Sequence, residues 1–286
     1  MDGFLLLNKE KGITSNQLVQ TVKKSLSIKK VGHLGTLDPM ATGLMVLATN
    51  RATKFSNFFL ESDKAYKATI KLGSKTDTDD AMGNVIKTYD KPLPDSEKVV
   101  KVINSLIGQS KQIPPFFSAL KHKGKPLYKY ARDGEFISKP AREINIYSIN
   151  NIKMRSDECS FYIHCSKGTY IRSIARDIGE ELGCGAHLKK LERVSQGRFD
   201  IKQSHLVENI NFNNLISIEE AFMDLSEIKL EQNQSKVFLN GGKLSNFKLQ
   251  ENNYRIYDDL SNFLGLGFIA NETLSLKRLV KSLDKL

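Results

Sequence analysis

Gly32-His33-Leu34-Gly35-Thr36-Leu37-Asp38-Pro39-Met40-Ala41-Thr42-Gly43 is the stretch around which the chain is organised. Its three glycines and one proline disfavour helix and regular strand, because glycine adds backbone entropy and proline lacks an amide donor. Apolar residues flank it, with Val31 before it and Leu44-Met45-Val46-Leu47-Ala48 after it. We therefore expect a polar loop held between buried segments, where a rigid scaffold presents functional groups.

Asp38 is the carboxylate of this loop, and Pro39 biases its backbone toward extended geometry. An isolated Asp-Pro pair most often marks a turn whose carboxylate caps the next segment. The density of constrained residues around Asp38 favours a catalytic loop instead. The His-Leu-Gly-Thr run is faintly similar to the HxGH motif of nucleotidylyltransferases, but that motif needs a second histidine where this chain has Thr36.

Composition bounds the class of protein. The 286 residues allow one large domain, or a large domain with a small companion. The 43 lysines and arginines exceed the 32 acidic residues and give a net charge of +11 and a pI near 9.4. Such a charge suits a polyanionic partner such as nucleic acid. An AT-rich genome would also enrich lysine and asparagine, so charge alone leaves both explanations open.

Cysteine and histidine usage argues against a disulfide framework and against a zinc site. Cys159, Cys165 and Cys184 are odd in number and contain no CxxC pair, and the five histidines are dispersed. No apolar run reaches the length of a membrane span, and the start of the chain lacks the basic region of a signal peptide. We expect a cytoplasmic, reduced protein without metal or cofactor.

Periodicity predicts an α+β fold with a mixed, largely antiparallel sheet flanked by helices. Strands and helices come in clusters and not in strict alternation, which disfavours a doubly wound sheet. Apolar residues alternate with polar ones over residues 66–72 and 161–165, which predicts strands. Thr14 carries an N-cap signal for one helix, and a second helix is expected over residues 168–182.

Two shorter helices are expected over residues 52–60 and around residues 218–222. From about Leu230 the composition shifts to asparagine, glutamine and glycine-rich turns, which predicts a small all-β unit. The predicted domains are therefore residues 1–228 and residues 229–286.

The central loop resembles throughout the hallmark GHxGTLDPxATG of the TruB family, the bacterial tRNA pseudouridine-55 synthases. Residues 113–121 are similar to the family's IPPxxSALK segment, and residues 165–172 match its CSKGTYIR motif in full. Two positions depart from the family pattern, because Glu10 replaces a proline and Glu192 replaces an arginine. The resemblance is close over roughly the first four-fifths of the chain and weak over the remainder. That remainder occupies the position of the family's PUA-like C-terminal domain.

The resemblance implies the pseudouridine-synthase fold and the isomerisation of uridine 55 in the T loop of tRNA by base flipping. It implies Asp38 as the essential carboxylate, Arg172 as its partner, and Tyr66 as the ring that stacks on the flipped uracil. Arg172 also lies in the first turn of a predicted helix, where a positive charge opposes the helix dipole. Because Arg172 is unfavourable for the helix at this position, it is a candidate for a functional residue. Asp38 either attacks the sugar or helps to remove a sugar proton, and the sequence leaves both roles open.

Further substrate contacts are implied around these residues. His33 is expected to fill the gap that the flipped base leaves, while Tyr170 and Leu191 complete the pocket wall. We expect phosphate contacts from a set of lysines spread along the chain, namely Lys9, Lys54, Lys121 and Lys167. The expected partner is tRNA, with no membrane, no obligatory protein partner and a monomeric state.

Two other functions compete with this interpretation. A tRNA-binding folding factor would use the same basic surface with chemistry as a secondary role. A phosphatase of the DxD type would need a second aspartate two residues after Asp38 and a magnesium site, but Met40 occupies that position.

Overall fold

The computed structural model of the protein describes residues 1–90 and 92–280. The α-helices are α1 (Ser15–Ser25), α2 (Ser56–Leu60), α3 (Ser96–Ser105), α4 (Leu127–Arg132), α5 (Ile171–Glu181) and α6 (Gln232–Leu239). The strands are β1 (Gly3–Lys9), β2 (Val31–His33), β3 (Thr42–Thr49), β4 (Lys64–Leu72), β5 (Ser74–Thr76), β6 (Val85–Thr88), β7 (Gly108–Gln112), β8 (Lys121–His122), β9 (Lys125–Pro126), β10 (Arg142–Arg155), β11 (Glu158–Cys165), β12 (Ala186–Gln196), β13 (Phe199–Asp200), β14 (Glu227–Lys229), β15 (Asn252–Tyr257), β16 (Phe263–Ala270) and β17 (Thr273–Leu279).

The main sheet has the strand order β1-β3-β12-β4-β11-β10-β7, with β2 paired to β3 and β13 paired to β12. Neighbouring strands are antiparallel except β3 and β12, which run parallel. Helices α1, α3 and α5 cover one face and share a core with the inward side chains of the sheet. The predicted α+β class, with a mixed and largely antiparallel sheet, is confirmed.

A second core covers the opposite face of the sheet at the β1–β3 end. Alternate residues of these strands, such as Phe4 and Leu6, point to this side because successive side chains of a strand face opposite ways. The aromatic rings of Phe55, Phe59 and Phe222 pack here, so the phenylalanines of the segment after β3 belong to the core.

The C-terminal unit is a four-stranded sheet in the order β14-β15-β16-β17. The predicted β structure is confirmed, but the prediction that the unit is all-β is wrong because α6 packs on it through Phe238. Glu231 and Gln234 form a capping box that starts this helix inside the polar segment. Leu266 of β16 belongs to the core beneath β1 and β3, so the unit contacts the rest of the chain there.

Three predicted elements differ from those observed. The expected helix over residues 52–60 is a 3₁₀-helix over Asn50–Phe55 followed by α2, and the expected helix near residue 218 is a 3₁₀ turn over Glu220–Phe222. Helix α5 begins at Ile171 and not at Gly168, whose φ of +77° places it in the preceding turn. Its N-cap residue is Tyr170.

The ends of the central loop lie in strands, although its composition predicts no regular structure there. His33 ends β2, and Thr42 and Gly43 begin β3. Gly43 pairs with Arg193 in the parallel register and has a φ of +102°. A Cβ atom at residue 43 would lie 2.4 Å from the Arg193 carbonyl oxygen, so this close approach of two strands requires glycine.

We expect Gly43→Ala to lower the free energy of unfolding by about 2–4 kcal/mol, through backbone strain and the clash with Arg193. Gly32→Ala is the matched control from the same loop, because nothing lies within 4 Å of a Cβ atom built there. It should change stability by less than about 1 kcal/mol. Urea denaturation of both variants measures the difference, and equal losses would contradict the close-approach argument.

Candidate active site

A cavity of about 950 Å³ opens beside the central loop. It brings together all the predicted site residues except the four lysines. Among the residues that line this cavity are His33, Asp38, Lys64, Tyr66, Asp80, Phe117, Arg142, Tyr170, Arg172, Leu191 and Arg193.

The loop that carries Asp38 is anchored to the start of α1. The Ser15 hydroxyl lies 2.9 Å from both the amide nitrogen and the carbonyl oxygen of Leu37. The Gly12 amide donates to the Pro39 carbonyl oxygen at 2.7 Å. Thr14 and Gln17 form the capping box that fixes this end of α1, so a predictable helix start also positions the loop.

Asp38 and Arg172 form an ion pair at the cavity surface. Arg172 Nε lies 2.9 Å from Asp38 Oδ2, and Nη2 donates to Oδ1 at 3.2 Å. The Arg172 side chain is 6% exposed, whereas that of Asp38 is 33% exposed. A carboxylate held by a buried guanidinium and open on its other side is oriented toward whatever enters the cavity.

Arg172 also binds two other loops. Its Nη1 donates to the Thr78 carbonyl oxygen at 3.2 Å and its Nη2 to the Phe117 carbonyl oxygen at 2.8 Å. Its Nε lies 3.7 Å from Oδ2 of Asp80, a buried carboxylate that also accepts from the Met82 amide. One guanidinium therefore joins the central loop, the turn after β5 and the segment after β7.

Burial raises the pKa of the Asp38 carboxyl above its usual value, the Arg172 charge opposes this rise, and the like charge of Asp80 adds to it. The balance of the two neighbours therefore sets how readily Asp38 takes up a proton.

Tyr66 lies on β4 with its ring buried against the cavity. The guanidinium of Arg193 lies beside the phenol and acts on it through its charge. Burial raises the pKa of Tyr66 to about 12, which the positive charge of Arg193 opposes. The phenol is therefore neutral at neutral pH.

The remaining predicted pocket residues, His33, Tyr170 and Leu191, also line the cavity. Burial together with the Arg193 charge lowers the pKa of His33. Tyr170 presents its ring under the Arg142 guanidinium, 4.5 Å from the ring centroid, and Gln112 fixes its backbone through two hydrogen bonds. Leu191 is buried on β12 beside them.

The four lysines lie outside the cavity lining. Lys9 is 0% exposed and its ammonium donates to the carbonyl oxygens of Glu10 and Ile13, so the prediction that it contacts phosphate is wrong for this structure. Lys54 lies in the 3₁₀-helix after β3, and Lys121 is exposed on β8. Lys167 is exposed in the turn before α5 and pairs with Glu61.

Three protein-family models match successive parts of the chain. The family model described as TruB family pseudouridylate synthase (N terminal domain) matches residues 23–171. Models described as tRNA pseudouridylate synthase B C-terminal domain and as Pseudouridine synthase II TruB, C-terminal, match residues 172–226 and 226–280. The chain belongs to the TruB family of pseudouridylate synthases.

Two curated members of the TruB family illustrate the similarity. The tRNA pseudouridine synthase B of Aromatoleum aromaticum is 40% identical over 290 residues, which cover 99% of this chain and 94% of that protein. The protein of the same name from Francisella philomiragia is 40% identical over 267 residues, covering 91% of this chain and 88% of that one.

Two solved structures show the same fold. One is titled "Structure of H/ACA RNP bound to a substrate RNA containing 2'-deoxyuridine", with a TM-score of 0.72, 20% identity, and coverage of 99% of this chain and 86% of that one. The other, "Crystal Structure of a Cbf5-Nop10-Gar1 Complex", has a TM-score of 0.72 and 22% identity over 98% of this chain and 85% of that one.

Sequence reasoning missed three residues that line the cavity. Asp80 stands in the polar run Thr76-Asp77-Thr78-Asp79-Asp80, whose composition is typical of a turn, and it pairs with Arg172. Arg193 and Lys64 lie on β12 and β4, and their burial was not expected because charged side chains are mostly exposed.

In residues 1–90 and 92–280, no group of three or more histidine, cysteine, aspartate or glutamate side chains is placed to hold a metal ion. Across the same ranges, no helix combines the length and apolar character that crossing a bilayer requires.

We expect Arg172→Met and Asp80→Asn to move the pKa of Asp38 in opposite directions. Loss of the opposing Arg172 charge raises it, whereas loss of the like charge of Asp80 lowers it. Asp77→Asn is the control, because Asp77 caps the Asn84 amide in the same turn. Carboxyl carbon NMR across a pH titration measures the change, with the Asp38 signal assigned by its loss in Asp38→Asn. Movement in the same direction for both variants would contradict the electrostatic account.

Proposed function

We propose that this chain is a tRNA pseudouridine synthase that isomerises uridine 55 in the T loop of tRNA. Membership in the TruB family and the names of its relatives support the reaction and the class of RNA. The observation that carries the proposal is the Asp38–Arg172 ion pair, open on one side to a cavity that also contains Tyr66. The net charge of +11 suits a polyanionic substrate.

The reaction moves a base without a change in oxidation state. The bond between ribose C1′ and uracil N1 breaks, the uracil turns, and its C5 joins the same C1′. The C5 proton leaves and N1 gains a proton, so the product is an isomer of the substrate. The uridine must first leave its stack in the loop, which costs a few kcal/mol. A cavity of about 950 Å³ holds one flipped nucleotide with room for the base to turn.

Asp38 is the residue we assign to the sugar. Its exposed side can capture the electron-poor C1′ or assist removal of a sugar proton, and both roles require the ionised carboxylate. Arg172 holds that carboxylate in place by two contacts and favours its charged form. Burial alone would disfavour the charge, so the pair gives an oriented carboxylate in a partly dry site.

Tyr66, His33 and the pocket wall are assigned to the base. The Tyr66 ring is buried on a rigid strand and offers a flat surface on which uracil can stack. His33, at the end of β2, is placed to fill the gap in the RNA that the flipped base leaves. Tyr170 and Leu191 close the wall beside the base.

We expect Asp38→Asn to bind a T stem-loop with unchanged or slightly higher affinity, because the variant removes a negative charge near phosphates. Pseudouridine formation should fall by at least about 1000-fold, because an amide neither attacks the sugar nor accepts its proton. Arg172→Ala should also reduce turnover strongly, and the double variant should be little worse than Asp38→Asn, as for residues that act as a unit.

Stem-loop affinity and pseudouridine yield, measured on the three variants, check this prediction. Substantial product from Asp38→Asn would remove Asp38 from the mechanism. If tRNA folding, and not modification, were the main role, the wild type would refold tRNA while forming no pseudouridine.

We expect binding of the stem-loop to weaken with salt through counterion release. Lys167→Ala should flatten the slope of log affinity against log salt by somewhat less than one, if Lys167 contacts one phosphate. Lys153→Ala is the control, because this exposed lysine lies at the far end of the β10–β11 ribbon from Lys167. Equal slopes for the wild type and Lys167→Ala would place Lys167 outside the contact surface.

A further inference from the structure

Arg193 is a buried cation inside the site that the assigned mechanism does not use. Its side chain is 1% exposed, and it lines the cavity next to Tyr66. Its Nε donates to the Leu44 carbonyl oxygen at 2.7 Å and its Nη2 to the Gly35 carbonyl oxygen at 3.1 Å. The Tyr66 phenol lies close by, and Arg193 forms no ion pair with any carboxylate in the described part of the chain.

Burying a guanidinium without a carboxylate is unfavourable, because the ion loses hydration and gains only dipoles in return. The fold nevertheless places a second cation nearby. Lys64 lines the same cavity and donates to the carbonyl oxygens of Leu60 and Ser62, again without a carboxylate. Burial and the charge of Arg193 lower the pKa of Lys64 to about 8. The Tyr66 side of the cavity therefore carries uncompensated positive charge.

Arg172 does not share this property. Asp38 lies 2.9 Å from its guanidinium and Asp80 lies 3.7 Å from it, so two carboxylates already neutralise it. A new negative charge that forms in the cavity would be stabilised by Arg193 far more than by Arg172. A fixed charge that needs no reorganisation during the reaction is the usual form of electrostatic catalysis.

We propose that Arg193 supplies the positive charge that stabilises the uracil anion when the base leaves the ribose; this inference rests on the proposed function. When the C1′–N1 bond breaks, its electron pair stays with uracil, which then carries one negative charge spread over N1 and the two carbonyl oxygens. The charge disappears when C5 bonds to C1′. The C5 proton then leaves to a base and N1 takes up a proton, so the product base is neutral. This account holds whether Asp38 attacks the sugar or helps to remove its proton.

The same contacts give Arg193 a positioning role, which the experiment has to separate from the electrostatic one. Arg193 binds Gly35 inside the central loop and Leu44 directly after it. Its loss therefore also loosens the loop that carries Asp38. A loosened loop slows the reaction of every substrate by the same factor. Loss of anion stabilisation slows the reaction of a poor leaving group more than that of a good one.

The experiment compares T stem-loops that contain uridine or 5-fluorouridine at the target position, with saturating enzyme in a single turnover. Fluorine withdraws electrons, so 5-fluorouracil leaves more easily as an anion. We expect Arg193→Met to slow consumption of uridine by about 100-fold and that of 5-fluorouridine by no more than about 10-fold. Arg193→Lys keeps the charge and should remain within about 10-fold of the wild type on both substrates.

Two outcomes would overturn the inference: equal slowing of both substrates in Arg193→Met, or an Arg193→Lys variant as slow on uridine as Arg193→Met. If Arg193→Met does not fold, Arg193→Gln removes the charge while keeping a hydrogen-bond donor, and equal slowing of both substrates there overturns the inference as well. A folded wild type that converts no uridine would instead refute the proposed function.

Discussion

Arg172 donates from one guanidinium to three loops that are far apart in the sequence. It pairs with Asp38, binds the carbonyl oxygens of Thr78 and Phe117, and lies beside Asp80. Helix α5 holds it in place, because the apolar face of that helix is buried in the main core. The central loop is also held by Leu37 and Met40 in the main core, and the Arg172 guanidinium links it to the other two loops. Arg172 is unfavourable at the start of α5 because its positive charge opposes the helix dipole, but this position lets it pair with Asp38.

The charges of the site are divided between its two sides. On one side the carboxylates of Asp38 and Asp80 share Arg172. On the other side Arg193 and Lys64 donate to backbone carbonyl oxygens and form no ion pair within the described residues. A nucleotide between them would face a carboxylate at its sugar and cations at its base. This is the polarity that a reaction needs when it separates an electron-poor sugar from an electron-rich base.

Much of the fold follows from local sequence signals. The capping box at Thr14, the alternation along β4 and β11, and the constrained central loop all predicted elements that the structure contains. The short 3₁₀ turns and α6 were not predicted correctly, because they are too short or too polar to show an apolar period. Within the site, four predicted residues that belong to the quoted motifs line the cavity, namely His33, Asp38, Tyr170 and Arg172. Lys9 and Arg193 were misjudged or missed because the burial of a charged side chain depends on long-range packing, which local patterns do not encode.

The parallel pairing of β3 with β12 joins segments that are far apart in the order of synthesis. Arg193 reaches back 149 residues to bind the Leu44 carbonyl, and Gly43 admits the strand that carries it. At about 5–20 residues per second, a ribosome needs on the order of 10 s to make the intervening chain. Until then β3 lacks its parallel neighbour β12, and the central loop lacks its hydrogen bonds from the Arg193 guanidinium. The nascent chain thus carries an open strand edge at the start of β3, where β2 does not pair, and this aggregation hazard ends only when β12 has emerged.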